Sequence, residues 1–166
     1  GWCTGSLVNN TNQDCTPYFL TAWHCYENAT TTQLNQWIFY FNYEASGCTT
    51  PTTEPSSNTM TGCTLKAAAS ITGGSDFLLV QLKSTVPTNY NPYMNGWDRN
   101  NSVSGPGVGI HHPAASIKKI STYNSATSST YTGSASNAHW RVVWVSNSNG
   151  WGVTEGGSSG SPLFNS

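Results

Sequence analysis

The chain has 166 residues, a formal net charge of -1 and only 8% charged residues. Such sparse charge argues against a nucleic-acid-binding surface, which needs clustered Lys and Arg, and an aromatic content of 12% argues against charge-driven disorder. No apolar stretch approaches the length of a membrane span. We therefore expect neither a nucleic acid nor a membrane as a partner.

The pattern of the sequence predicts short strands separated by turns. In chain order these are Ser6–Val8, Tyr18–Ala22, Gln36–Tyr43, Thr64–Ala67, Asp76–Leu82, Met94–Asp98, Val108–His112, Ile117–Ser121 and His139–Val145. The stretch from Thr49 to Thr61 contains two prolines and many Ser and Thr residues, so we expect a loop there. No apolar period of 3.6 residues persists for three turns, and we predict no helix. The pattern indicates an all-β fold, either an antiparallel barrel or a sandwich.

A domain boundary is predicted between Ser84 and Pro92, because this stretch carries two prolines and reads as a linker. It divides the chain into residues 1–88 and residues 89–166. The abrupt start at Gly1 and the end four residues after Pro162 suggest a piece of a longer chain.

Five cysteines indicate an extracellular protein with disulfides rather than a metal protein. None of them forms a C-x-x-C pair, so we predict no zinc site. The odd number leaves one thiol without a partner in this segment.

A glycine-rich motif near the end of the chain, Glu155-Gly-Gly-Ser-Ser-Gly-Ser-Pro162, presents Ser159. A nucleophilic serine needs an exposed hydroxyl and backbone N–H groups that point at the oxyanion formed during attack. Gly157 allows close approach to a substrate, and Gly160 helps to fix the exit of the turn. A Ser-x-Gly turn alone is usually only a loop, so the hypothesis needs a base and an acid elsewhere.

Histidine suits the role of general base for a serine hydroxyl because its pKa lies near neutrality. His24 is favoured among the four histidines because it follows an apolar strand and precedes Cys25, which could fix its position. His111 and His112 are adjacent and would point to opposite faces of a strand. His139 opens another strand. A lone histidine is more often structural, and the context of His24 is what favours a catalytic role for it.

The base needs a carboxylate partner that holds its tautomer. Asp76 is favoured among the seven acids because it alone leads directly into a strongly apolar strand, where burial is supported. The ordinary interpretation of Asp76 is a strand-start residue after a Gly-Gly turn.

Three motifs in the order His, Asp, Ser resemble the chymotrypsin-like serine endopeptidases, and most closely the bacterial lysyl endopeptidase group. They are Thr21-Ala-Trp-His-Cys25, Ser75-Asp-Phe-Leu-Leu79 and Gly157-Ser-Ser-Gly-Ser-Pro162. The resemblance implies two antiparallel Greek-key β-barrels, the second one incomplete. The first, residues 1–88, would carry His24 and Asp76, and the second, residues 89–166, would carry Ser159.

The same resemblance implies a role for each matching residue. Ser159 matches the nucleophile, His24 the general base and Asp76 the residue that orients it. The backbone N–H groups of Gly157 and Ser159 match the oxyanion hole. The family uses no cofactor or metal, acts on peptide or protein substrates, and is secreted; we expect a monomer.

The resemblance also bears on the cysteines. Cys3 and Cys25 match a disulfide around the histidine loop, which would contribute roughly 3 kcal/mol. Cys48 resembles a family cysteine that bonds to an N-terminal segment absent here, and Cys15 and Cys63 stay unassigned.

Three positions depart from related enzymes. Ser158 replaces the aspartate that trypsin-type enzymes place before the nucleophile, so their activation switch should be absent. Val153 stands where trypsin carries its specificity acid, which excludes a trypsin-style pocket. Trp23 replaces a small residue or histidine, and its bulk could shape the floor under His24.

We therefore expect a secreted serine endopeptidase that could cleave after lysine, and we expect the 166-residue piece alone to be poorly folded and inactive. Cleavage after glutamate or small residues is the alternative within this class. From other classes, the aromatic-rich, polar composition is compatible with a carbohydrate-binding β module, and a catalytically dead relative used for adhesion is a third alternative.

Overall fold

A computed structural model describes residues 1–102 and 105–165, which form mainly short strands. The strands are β1 (Ser6–Val8), β2 (Tyr18–Ala22), β3 (Ile38–Phe41), β4 (Asn58–Thr61), β5 (Cys63–Ala69), β6 (Phe77–Leu82), β7 (Gly107–His111), β8 (Lys119–Ser129), β9 (His139–Asn147), β10 (Gly150–Trp151) and β11 (Leu163–Asn165). A single α-helical turn, α1, covers Thr31–Leu34, and short 3-10 turns cover Trp23–Cys25, Thr88–Tyr90 and Pro113–Ala115. None of the helices in this part of the chain is long and apolar enough to cross a bilayer.

The strands form three sheets with antiparallel neighbours throughout. Their orders are β1-β2-β6-β5, β10-β9-β8-β7-β11 and β3-β4, and one isolated parallel bridge joins Val8 to Asn95. The prediction of an all-β, largely antiparallel fold is confirmed. Among the described strands no sheet closes into a barrel, and the Greek-key barrels and the boundary at residue 88 stay predictions.

The core of the first sheet is set by the alternation of side chains along β6. Leu78, Val80 and Leu82 are 0–2% exposed, while the intervening side chains of β6 are only partly buried. Successive residues of a strand point to opposite faces, so one face of β6 is fully covered. Leu7, Leu34, Phe39, Met60 and Val86 belong to the same core cluster.

Two segments differ from their predicted structure because pairing partners outweigh local composition. The end of the predicted loop Thr49–Thr61 is strand β4, which pairs with β3 and buries Met60 opposite Phe39. Met94–Asp98 is not a strand; only Asn95 forms a bridge.

Two further differences concern the length of an element. Strand β8 continues well beyond the predicted Ile117–Ser121 into a Ser/Thr-rich stretch, because β9 supplies hydrogen-bond partners as far as Ser129. The prediction of no helix misses one turn, α1, whose N-terminus carries a capping box between Thr30 and Gln33.

The three cysteines outside the disulfide carry free thiols. Cys15 and Cys48 are exposed, whereas Cys63 is buried at the start of β5. Its Sγ donates to the Leu34 carbonyl oxygen at 3.7 Å, and burial raises the pKa of the Cys63 thiol to about 11. Because the thiolate is the reactive form, Cys63 behaves as a structural residue.

Shortening one buried side chain of β6 tests how far the core depends on this strand. We expect Leu78→Ala, at a side chain with 0% exposure, to lower the free energy of unfolding by about 2–5 kcal/mol through lost burial and a residual cavity. Leu65→Ala on neighbouring β5, where the side chain is 43% exposed, should cost about 1 kcal/mol or less. Urea unfolding of both variants measures the difference, and equal losses would contradict this location of the core.

Candidate active site

His24 and Asp76 are brought together by the pairing of β2 with β6. His24 lies in the 3-10 turn that follows β2, and Asp76 immediately precedes β6, with Ala22 opposite Phe77 in the ladder. The Nδ1 atom of His24 lies 2.7 Å from Oδ2 of Asp76. The backbone N–H of His24 donates to the other carboxylate oxygen at 2.9 Å. One carboxylate thus fixes both the ring and the backbone of the histidine.

Asp76 is held by its backbone as well as by its side chain. Its carbonyl oxygen accepts the Trp23 N–H at 3.0 Å, and its own N–H donates to the Ser70 carbonyl at 3.3 Å. Its φ of 56° lies in the left-handed region, which Asp tolerates better than most residues. The Asp76 side chain is 14% exposed and that of His24 is 40% exposed, so the pair opens to solvent on the histidine side.

A disulfide joins Cys3 to Cys25, directly beside His24. The Cα atoms of the two cysteines are 6.3 Å apart, and the bond is the pairing that the resemblance implies. Within the described ranges, Cys3, His24 and Cys25 are the one group of three potential metal ligands. Both sulfurs are consumed by the disulfide, so this group lacks the thiolates that a zinc site needs.

Ser159 is the second residue of the second of two consecutive hydrogen-bonded turns. The Ser158 N–H donates to the Glu155 carbonyl at 3.0 Å, and the Ser161 N–H donates to the Ser158 carbonyl at 3.0 Å. Gly157 and Gly160 are the third residues of these turns, with φ of 98° and 82°. That position in a type II turn requires positive φ, which explains both glycines. We call residues 155–161 the serine loop.

Thr4 connects the serine loop to both of the larger sheets, and we call this set of contacts the Thr4 junction. The Thr4 N–H donates to the Ser159 carbonyl at 2.8 Å, and the Thr4 hydroxyl donates to the Gly157 carbonyl at 2.7 Å. The same hydroxyl accepts the His112 N–H at 3.0 Å. The Thr21 hydroxyl donates to the Thr4 carbonyl at 2.6 Å. Thr4 is 5% exposed, so water cannot replace these bonds.

The serine loop packs against the end of β2, close to the histidine. A Cβ atom on Gly160 would clash with the Thr21 hydroxyl and would lie 2.6 Å from the Ala22 backbone nitrogen. Ala22 is two residues before His24. Within the described residues no hydrogen bond joins the Ser159 hydroxyl to His24, and the imidazole bonds only to Asp76. Catalytic hydrogen bonds are often long in unliganded enzymes and shorten when substrate binds.

A buried histidine behind the serine loop was not singled out by the sequence. His111 is 1% exposed. Its Nδ1 lies 2.8 Å from the Ser158 hydroxyl and its Nε2 lies 2.9 Å from the Ser121 hydroxyl. No sequence pattern marks this contact, because a serine in a glycine-rich motif shows the need for a buried partner only once the structure places its hydroxyl inside the protein.

Removal of the Thr4 hydroxyl should be costly although the side chain is small. Thr4→Val keeps the shape but leaves the His112 N–H and the Gly157 carbonyl without their partner, and we expect a loss of about 1–3 kcal/mol in the free energy of unfolding. Thr4→Ser keeps the hydroxyl and should lose much less. Urea unfolding of the two variants measures the contrast; a loss in Thr4→Ser as large as or larger than that in Thr4→Val would contradict a leading role for the hydroxyl.

Comparison with known proteins relates nearly the whole chain to one protein family. The family model described as "Lysyl endopeptidase, C-terminal domain" matches residues 1–166. The chain is 36% identical, over 167 residues, to the lysyl endopeptidase of Pseudomonas aeruginosa, in an alignment that covers 98% of this chain and 33% of the relative. It therefore spans about a third of the length of that curated relative. The chain belongs to the lysyl endopeptidase C-terminal domain family.

Proposed function

We propose that the protein is a serine endopeptidase in which Ser159, His24 and Asp76 form a catalytic triad. The observation that carries the proposal is the contact between His24 Nδ1 and Asp76 Oδ2 at 2.7 Å. A carboxylate on this nitrogen makes it the protonated one, so that Nε2 is left as the basic atom. A histidine in that tautomer can accept the proton of a serine hydroxyl.

The proposed reaction follows from these roles. His24 Nε2 takes the hydroxyl proton as Ser159 Oγ attacks the carbonyl carbon of the scissile peptide bond. The tetrahedral intermediate collapses when His24 returns the proton to the leaving amine, which gives an acyl-enzyme. Water activated by the same base then releases the acid product. The proposed chemistry uses no cofactor, and its substrates are peptides or proteins.

Two backbone N–H groups are suited to hold the oxyanion. In the described part of the chain, neither the Gly157 nor the Ser159 N–H has a hydrogen-bond acceptor. The carbonyls of the same two peptides are both bound: the Gly156 carbonyl accepts the Ala114 N–H at 2.7 Å and the Ser158 carbonyl accepts the Ser161 N–H at 3.0 Å, which fixes the direction of the two free N–H groups. Preorganised donors of this kind contribute about 10²–10³ each to the rate in enzymes where one has been removed.

The first test is covalent labelling of the nucleophile in the full-length protein. We expect a serine-directed fluorophosphonate to label the wild type and Ser161→Ala but not Ser159→Ala, because only Ser159 is proposed to attack. Mass spectrometry of the labelled peptide identifies the site. Persistent labelling of Ser159→Ala would remove this residue from the role.

A second test addresses the acid. Asp76→Asn keeps the size of the side chain but favours the wrong histidine tautomer, and we expect kcat to fall roughly 10⁴-fold. Asp14→Asn changes an exposed carboxylate in a polar loop and should leave kcat unchanged. A loss of less than tenfold in Asp76→Asn would mean that the carboxylate does not orient the base.

For specificity, we propose cleavage after lysine. The support is the family itself, whose matching relative is a lysyl endopeptidase. Digestion of a mixed set of proteins followed by sequencing of the new termini should find lysine before almost every cut. Cuts after glutamate or small residues would favour the alternative specificities instead.

The wider setting is proposed on the same basis. We infer two Greek-key barrels that meet at the Thr4 junction, and a monomeric enzyme. We also infer that the enzyme is secreted, and the Cys3–Cys25 disulfide supports this. The carbohydrate-binding alternative stays a prediction. The indole N–H of Trp97, one of the exposed aromatic residues, is already bound to the Asn9 carbonyl at 2.9 Å.

A further inference from the structure

A buried chain of hydrogen bonds runs behind the serine loop and returns to it. The Glu155 N–H donates to the Ser158 hydroxyl at 3.2 Å, and that hydroxyl contacts His111 Nδ1 at 2.8 Å. On the other side of the ring, His111 Nε2 contacts the Ser121 hydroxyl at 2.9 Å, which donates to the Val153 carbonyl at 3.5 Å. His111 therefore links two points of the segment that leads to Ser159.

One tautomer satisfies every member of this chain. The Ser158 hydroxyl accepts the Glu155 N–H and has His111 Nδ1 as its other partner, so its proton goes to Nδ1, and Nε2 carries the hydrogen that the Ser121 hydroxyl accepts. Nδ1 is then an acceptor, and the Ser158 hydroxyl donates to it. A protonated His111 would place a hydrogen on Nδ1 as well, and the proton of Ser158 would lose its acceptor. The network thus requires the neutral ring.

The network ends one residue from the proposed nucleophile. The Ser158 backbone belongs to both turns of the serine loop, through its N–H to Glu155 and its carbonyl to Ser161. Ser158 is 5% exposed and Ser121 is 0% exposed. A change in the Ser158 side chain therefore moves the peptide that carries the Ser159 N–H, and water does not fill the gap.

We propose that His111 is a positioning residue that holds the serine loop in its working shape through Ser158, and that it does so as the neutral Nε2–H tautomer. The inference rests on the proposed function for its effect on catalysis. It assigns no contact with substrate to His111. The ring acts through Ser158 on the backbone of the proposed nucleophile and oxyanion hole.

The electrostatic surroundings favour the neutral ring. Burial lowers the pKa of His111 below its ordinary value of 6.5, the neighbouring His112 lowers it further, and Glu155 opposes both effects. A group with a lowered pKa in the folded state contributes stability that is complete above the unfolded value. That contribution is lost as the pH falls from about 6.5 towards the lower folded value. Between about pH 6.5 and the lower folded pKa, the free energy of unfolding should therefore depend less on pH in a variant without His111.

The test uses two substitutions at His111 that keep different halves of the network, made in the full-length protein. His111→Asn offers an oxygen near the position of Nδ1 and can still accept from Ser158. His111→Gln offers an amide near the position of Nε2 and keeps only the Ser121 side. Ser158→Ala removes the same bond with a smaller change and serves if a His111 variant does not fold. His139→Gln is the matched control, because the buried Nδ1 of His139 has no partner among the described residues.

The readout is the rate of fluorophosphonate labelling, resolved into its maximal rate and half-saturating concentration. We expect the maximal rate of His111→Gln and Ser158→Ala to fall about 10- to 100-fold with little change in the half-saturating concentration, since a displaced nucleophile reacts slowly. His111→Asn should label faster than His111→Gln, although Gln matches the volume of histidine better. His139→Gln should label as the wild type does.

Each outcome decides the question. Labelling of folded His111→Gln and Ser158→Ala at the wild-type rate would overturn the inference and leave the proposed function intact, as would equal rates for Asn and Gln. If Ser159→Ala is still labelled, the proposed function fails, and hydrogen exchange decides the inference alone. In that case faster exchange of the Gly157 and Ser159 amides in His111→Gln than in His139→Gln supports positioning, and equal exchange overturns it.

Discussion

The hydrogen bonds of Thr4 are the constraint on which the rest of the site depends. One residue binds the serine loop through Ser159 and Gly157, the end of β2 through Thr21, and the segment after β7 through His112. Each bond contributes only about 1 kcal/mol net, but a buried partner left without its bond costs about 1–3 kcal/mol. Loss of the Thr4 hydroxyl would leave two buried backbone groups, the Gly157 carbonyl and the His112 N–H, without a partner at once, so the junction is kept or lost as a unit.

The two parts of the proposed triad are held by different kinds of structure. His24 and Asp76 are neighbours because two strands pair beside them, and the carboxylate binds both the ring and the backbone of the histidine. Ser159 is held by turns and by a buried polar network instead. His24 and Asp76 need only their own strands and the carboxylate to hold them together. Ser159 takes its position from Thr4 on one side and, as proposed, from His111 on the other. The relation between the halves is thus set by side chains that do not react.

The sequence predicted most of the strands and the candidate triad residues because these depend on local signals. Apolar alternation reveals β6, and the motifs around His24, Asp76 and Ser159 are short and contiguous. Strand β4 and the extension of β8 could not be predicted, since their polar residues become strands only when a partner supplies hydrogen bonds.

The supporting residues escaped prediction for a related physical reason. Thr4 and His111 make their important contacts with residues more than forty positions away in the chain, at Ser159, Gly157 and Ser158. No local pattern marks such a contact. A threonine after a cysteine and a histidine in a strand look ordinary until the loop that they hold is placed beside them.

The succession of two turns around Ser159 also limits how this segment can evolve. Each turn is closed by a bond between fixed positions and contains one glycine in the left-handed region, so there is no spare residue to absorb an insertion or a deletion. Insertion or deletion of one residue would turn the Ser159 hydroxyl away and would break the contacts of the serine loop with both Thr4 and His111. Surface loops generally tolerate changes of length, whereas we expect the spacing from Glu155 to Ser161 to tolerate none.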